Sequence, residues 1–312
     1  MSKNPPDNLS TTTPVDNGQA ARARTSAAAL SVASNTLLVV LKLVVGLMTG
    51  SVSVISEAIH SGLDLLAALI AYASIRIAGR PADETHPYGH GKVENLSGTI
   101  EALLIFLAAL WIIWEALRKL LYGGMVEALG LGLLVMAFSA GANFLISAHL
   151  FRIARGTDSI ALAADALHLR TDVYTSLGVF AGLGLIQLTG QHLLDPLVAI
   201  FVAVLIIKAA YDMTKEAFLP LLDTSLSPQE EGLIRSVLSR YEDRFLEFHA
   251  LRTRRAGAER HIDLHLVVPG DTHVEDVHAI CDEIEEEVRT LFPQASVLIH
   301  VEPESKRKSA RN

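Results

Sequence analysis

Cysteine is almost missing from this chain: Cys281 stands alone among 312 residues. A single thiol excludes an internal disulfide, and with it a disulfide scaffold or a Cys-rich zinc module. Basic residues are also scarce, 26 Lys and Arg against 34 Asp and Glu for a net charge of −8. That balance argues against nucleic acid as a partner and leaves cation binding open. No secretory leader stands out, because residues 1–20 are polar, rich in Pro, Ser, Thr and Asn, and read as disordered. Nor is there an HExxH helix, a nucleophile elbow or a catalytic-cysteine setting.

What the chain has in quantity is apolar length, and all of it lies before Met213. A bilayer core about 30 Å thick needs roughly 20 apolar residues in a helix. Six segments meet that need: 27–49, 53–78, 96–121, 127–151, 160–189 and 193–213. Gly50-Ser51, Gly123-Gly124 and Gly190-Gln191-His192 leave short connections on one side of the bilayer. The other side carries both termini, the 79–95 loop and the 152–159 loop. Arg22, Arg24, Arg76, Arg80, Lys92, Arg152, Arg155 and Lys215 fall on that second side, with Arg118 and Lys119 near the first. Positive-inside bias then places both termini in the cytoplasm. The expected layout is a disordered tail over 1–26, a six-span domain over 27–213, a cytoplasmic domain over 214–303 and a basic tail over 304–312.

Ionisable side chains inside a span are costly and point to function. Span two carries Glu57, His60 and Asp64 in EAIHSGLD, and span five carries Asp165, His168 and Asp172 in DALHLRTD. The octets share the pattern acid-Ala-x-His-x-x-x-Asp, and their matching positions are 108 residues apart. Residues i and i+4 project from one helical face, so each His-Asp pair aims two ligands at one point. Two imidazoles and two carboxylates suit tetrahedral Zn(II), and the carboxylates neutralise a dication in a low-dielectric setting. The plainer alternative is a pair of polar contacts between helices, His bonded to a neighbouring carboxylate. Glu57 and Asp165, one turn before each histidine, suit orienting the imidazole or relaying protons. A three-span repeat with its second copy inverted brings spans two and five together near the midplane, which serves alternating access.

The loop GRPADETHPYGHGKVEN offers Asp83, His86 and His90 within eight residues. By spacing alone they close round one metal or form a solvated polar loop. After the last span, Ser227-Pro228 opens a helix. Two alternating segments follow around Ala256-Gly257-Ala258, then a helix ending near Phe292 and a third strand over Ser296–Val301. The order α-β-β-α-β predicts a small α+β domain of ferredoxin-like type. Six of the twelve histidines lie there: His249, His265 and His300 on the expected strands, His278 on the helix, and His261 and His273, expected at the surface. His300 and Glu302 share one strand face. The residues by themselves fit either a metal site or scattered surface histidines.

Over roughly 25–303 the sequence resembles the cation diffusion facilitator family, and the twin HxxxD motifs carry most of the likeness. The resemblance implies a homodimeric metal/proton antiporter: a polytopic α-helical membrane protein with a six-helix transmembrane domain and a ferredoxin-like cytoplasmic domain. It implies zinc as the load, with Cd(II), Fe(II) or Co(II) as alternatives, no organic cofactor, and residence in the cell's inner membrane. It assigns His60, Asp64, His168 and Asp172 to the transport site, and Asp83, His86 and His90 to a second, low-affinity site. Lys92 would pair with Asp223, just past span six. His249, His265, His278, His300 and Glu302 map onto a binuclear zinc site at the dimer interface, with His278 contributed across the interface. The bridging carboxylate is often aspartate in the family, and Glu302 is one methylene longer. Against transport stand a membrane metalloenzyme, which would need an open coordination position and a general base, and a zinc sensor that carries nothing.

Overall fold

The computed structural model describes residues 17–49, 52–122, 130–189, 191 and 193–307. Most of the N-terminal tail, the turns at Gly50-Ser51 and Gly123-Gly124, Gly190, His192 and the last residues of the basic tail lie outside the described residues, as does the side chain of Glu57. The chain divides into two compact units. One contains Arg22–Ser225 together with Arg254–Glu259, and the other is built on Leu226–Thr253 and the chain from Arg260 onward.

The first unit holds six long helices: α1 (Asn17–Thr49), α2 (Val52–Ala78), α3 (Lys92–Tyr122), α4 (Gly130–Thr157), α5 (Ile160–Thr189) and α6 (Leu194–Phe218). The stretches Gly18–Met48, Ala58–Ala78, Lys92–Tyr122 and Pro196–Leu222 are each long and apolar enough to cross a bilayer. One boundary is corrected. Residues 17–26, expected in the disordered tail, are helical, because GQAARAR consists largely of strong helix formers that extend α1 backwards.

Alanine makes the seams between these helices. Ala27 and Ala28 of α1 meet Ala154 of α4 and Ala161, Leu162 and Ala166 of α5 in one buried cluster. Ala102 of α3 packs with Ala164 of α5 and Ala217 of α6, and Ala109 with Ala210 one layer on. Within a membrane, helix association relies on close van der Waals contact, which small side chains permit. Large apolar residues such as Leu37, Leu47, Leu107 and Trp111 point outward instead, as lipid-facing residues do. Several ionisable groups turn inward: Lys42, Asp64, Glu94, Glu101 and Asp165 are all buried.

The second unit contains α7 (Pro228–Ser239), most of β1 (Glu247–Ala256) and of β2 (Glu259–Val268), α8 (Val274–Leu291) and β3 (Ala295–Pro303). The sheet order is β1-β2-β3, with β2 and β3 parallel across the α8 connection. Ser227 caps α7, its hydroxyl accepting from the Glu230 amide while the Glu230 carboxylate accepts from the Ser227 amide, a complete capping box. Val277, Ile280, Cys281, Ile284 and Val288 give α8 one apolar stripe. It packs with Ile262, Leu264 and Leu266 of β2 and with Ile234 and Leu238 of α7. His261, expected at the surface, is only 8% exposed because β2 is the central strand.

Candidate metal-transport site

α2 and α5 pack against each other, and the twin octets meet in that seam. His60, Asp64, His168 and Asp172 all line one cavity of 450 Å³. Ligand atoms of His60, Asp64 and Asp172 lie within 4.8 Å of one another. His168 Nε2 is 3.1 Å from Asp64 Oδ1, and His60 Nε2 is 4.0 Å from the same oxygen. Tetrahedral zinc ligands about 2.0–2.1 Å from the metal sit about 3.3 Å apart, a spacing close to that of the His168–Asp64 pair. Asn143 of α4 donates to Asp172 Oδ2 at 3.4 Å and steadies that carboxylate.

Asp165 is buried one turn before His168. His168 Nδ1, also buried, has no hydrogen-bond partner among the described residues, so no direct bond from Asp165 orients the ring in this conformation. Glu57 lies one turn before His60 on α2. Two groups of this region escape a search confined to the repeated octets. Lys42 of α1 lines the cavity. Its ammonium donates to Ser61 Oγ at 2.6 Å, tying α1 to α2 beside His60. Glu101 of α3 is fully buried and accepts from Ser97 Oγ at 3.3 Å. A scan for any charge inside an apolar run finds Lys42 and Glu101 from sequence alone.

Loop residues Asp83, His86 and His90 also converge within 4.8 Å. His86 Nδ1 lies 3.2 Å and His90 Nε2 3.3 Å from opposite oxygens of Asp83. The Thr85 hydroxyl and the His86 amide both donate to Asp83 Oδ1. They hold this carboxyl well below the usual carboxylate range, so it stays an anion in mild acid. Lys92 Nζ sits 2.8 Å from Asp223 Oδ1, with Arg254 at 3.4 Å from the same oxygen. The Lys92 hydrogen bond holds the Asp223 carboxyl low. The Lys92 and Asp223 side chains are 40% and 55% exposed, a surface pair of the class that contributes about 0–1 kcal/mol.

In the second unit, His249 Nε2 lies 3.2 Å from Glu302 Oε2, and His265 Nδ1 lies 3.2 Å from Glu302 Oε1. Each carboxylate oxygen thus faces a different imidazole, the disposition a bridging ligand needs. These three groups converge within 4.8 Å. The His300 ring lies 4.9 Å from that of His265, in keeping with their pairing across β2 and β3. His278 stands apart on α8, 3.5 Å from Asp282. It lines a cavity of 510 Å³ together with Glu302. Glu247, 3.3 Å from His249 Nδ1, was not singled out in the sequence.

Residues 28–222 match the family model described as the cation efflux transmembrane domain, and 226–304 match the cation efflux protein cytoplasmic domain. The chain belongs to the cation diffusion facilitator family. An uncharacterized transporter of Synechocystis sp. is 36% identical over 276 residues, covering 88% of this chain and 89% of that protein. The cation-efflux pump FieF of Klebsiella pneumoniae is 31% identical over 282 residues, covering 90% of this chain and 93% of the pump. A solved structure titled as the zinc form of the putative zinc transporter CzrB is 48% identical over 28% of this chain and 98% of its own, with a TM-score of 0.26. The chain is therefore an integral membrane protein that moves cations, a transporter and not an enzyme.

Proposed function

We propose that this transporter exports Zn(II) from the cytoplasm in exchange for protons, as a homodimer in the inner membrane with both termini cytoplasmic. The observation that carries the reading is the meeting of both HxxxD pairs in one cavity. The N2O2 donor set favours zinc over manganese or magnesium, which prefer all-oxygen ligands. Cadmium, iron and cobalt are the competing loads. Metal binding needs neutral imidazole and ionised carboxylate, so protons arriving from outside compete for the same four side chains. Alternating exposure of the site then couples inward proton flow to metal release. The Asp83, His86 and His90 loop would capture metal at the entrance. Zinc held by His249, His265, His278, His300 and Glu302 would fasten the dimer, and Lys92 with Asp223 would link membrane and cytoplasmic motions.

The test is zinc uptake into inside-out proteoliposomes under an acid-interior gradient, with cadmium, iron, cobalt and manganese as competitors. Asp64→Ala and Asp172→Ala should abolish uptake while leaving folded dimer. Retained uptake in either variant would sink the assignment. His168→Asp should shift preference toward manganese, which an unchanged metal ratio would contradict.

A further inference from the structure

Asn143 stands on α4, a helix that contributes none of the four HxxxD ligands. It lines the same cavity as that quartet and is only 8% exposed. Its amide nitrogen donates to Asp172 Oδ2 at 3.4 Å. An ionised carboxylate only accepts, so this contact fixes which end of the amide faces Asp172 and leaves the other end, the oxygen, free. Asn143 Oδ1 is buried and has no hydrogen-bond partner among the described residues. The amide oxygen and nitrogen share one carbon, which holds Oδ1 within about 6 Å of Asp172 Oδ2. Ser139, one turn away on the same face of α4, repeats the pattern. It is 5% exposed, lines the cavity, and its hydroxyl is also buried without a partner among the described residues. Thr171 and Thr175, which line the cavity too, differ: their hydroxyls donate to the His168 and Asp172 carbonyls. A buried amide oxygen that accepts nothing is uncommon and costly. A cation satisfies it as an N–H would.

We propose that Asn143 is a specificity-determining residue of the transport site, its amide oxygen serving as an uncharged ligand beyond the HxxxD quartet, with Ser139 Oγ beside it. This inference rests on the transport reading above. The quartet alone is a complete shell for tetrahedral zinc, a d¹⁰ ion with no electronic preference for a larger one. Cobalt has such a preference and takes more than four ligands more readily. An added neutral oxygen changes the coordination number without changing the charge that the site presents. It therefore acts on the choice among dications, which is made by geometry and ligand type rather than by raw affinity. The amide oxygen favours cobalt relative to zinc and makes the site less exclusive for zinc than its four principal ligands are.

The experiment measures zinc flux by the full-length chain in proteoliposomes at one fixed pH, with cobalt as competitor, for the wild type, Asn143→Ala, Asn143→Leu and Asn143→Asp. The readout is the inhibition constant of cobalt divided by the KM for zinc. Asn143→Ala removes the oxygen and should raise that ratio by ~tenfold, the lower end of what losing a supporting contact at a metal site costs. Asn143→Leu, close to asparagine in shape, is a second oxygen-free variant held to the same criterion should the smaller side chain fail to fold. Asn143→Asp loses the N–H donor but keeps an oxygen in place, so its ratio should stay at or below the wild-type value although the added charge alters both constants. A merely structural asparagine would weaken zinc and cobalt together and leave the ratio where it was. An unchanged ratio in the folded, active oxygen-free variant overturns the proposal, as does Asn143→Asp matching that variant. Cobalt that fails to compete in the wild type overturns it as well. A wild type that moves no zinc would defeat the transport reading itself, and this inference with it.

Discussion

Ala250 shows how one residue's backbone places a candidate metal ligand. Phe248 and Leu251 both pack against the core of the cytoplasmic unit, yet a regular strand turns residues three apart to opposite faces. Ala250 resolves this with a φ of +51°, a left-handed residue that absorbs the extra position, as in a bulge. His249, next to it, thereby reaches Glu302 at 3.2 Å. A non-glycine residue held in this region costs on the order of 1 kcal/mol, and a β-branched one more. Ala250→Gly should therefore raise the stability of this unit by ~1 kcal/mol, and Ala250→Val should lower it by ~1–3 kcal/mol, both read from denaturant melts. Equal melts for the three proteins would show that the left-handed turn is not strained. The sequence contains no sign of this feature, because alanine fits a strand pattern and only a three-dimensional core reveals the extra residue. Lys42 was harder to see for a different reason: a lone lysine in an apolar run resembles one that snorkels to the membrane surface, and its direction depends on packing between α1 and α2.

The elements themselves were largely legible. Apolar runs separated by glycine marked the helices of the membrane unit, and the alternation around Gly257 marked the β1–β2 turn. Gly257 has a φ of +61° and lies against the Gly91 backbone, where a Cβ would meet the Gly91 carbonyl at 2.6 Å, so glycine is required there on two counts. The Ser227-Pro228-Gln229-Glu230 signature gave the start of α7, and the structure adds a partner from β2, Arg260 Nη2 at 2.9 Å from Glu230 Oε1. Burial pushes the Glu230 carboxyl up, but the Ser227 hydroxyl and amide and the Arg260 guanidinium outweigh it and leave the carboxyl below its ordinary 4.5. A carboxyl depressed on folding contributes stability that is complete above its unfolded value and is lost as pH falls through its folded value. The contribution should thus be intact at neutral pH and begin to fade below about 4.5. Glu230→Gln retains a capping acceptor but drops the charge. It should cost ~1 kcal/mol or less at pH 7, with the gap to wild type closing in acid. Hydrogen exchange of the first α7 turn between neutral and acid pH would measure it, and a gap that widens in acid would reverse the sign argued here.

At the scale of the whole molecule, the candidate ligands of the second unit raise a question that one protomer leaves incomplete. His249, His265 and Glu302 converge, whereas His278 faces Asp282 from an exposed position on α8. If His278 completes the site of a second copy, zinc binds the dimer better than the monomer, and linkage makes dimer strength depend on free zinc. One such site occupied at 100 times its Kd stabilises the dimer by ~2.7 kcal/mol, roughly a hundredfold in its association constant. Sedimentation of the full-length chain in detergent should then show dimers that tighten with zinc and loosen when a chelator is added. Glu302→Ala, which removes the bridge, should sediment as chelated wild type does at every zinc concentration. His278→Ala should separate the two properties: metal still binds His249, His265 and Glu302 within each protomer, but the zinc dependence of dimerisation falls. Zinc-dependent dimers that survive both substitutions would place the dimer's metal link elsewhere. If His278→Ala instead strips all metal from the unit, His278 serves its own protomer's site, and α8 must move toward β3 to bring it there.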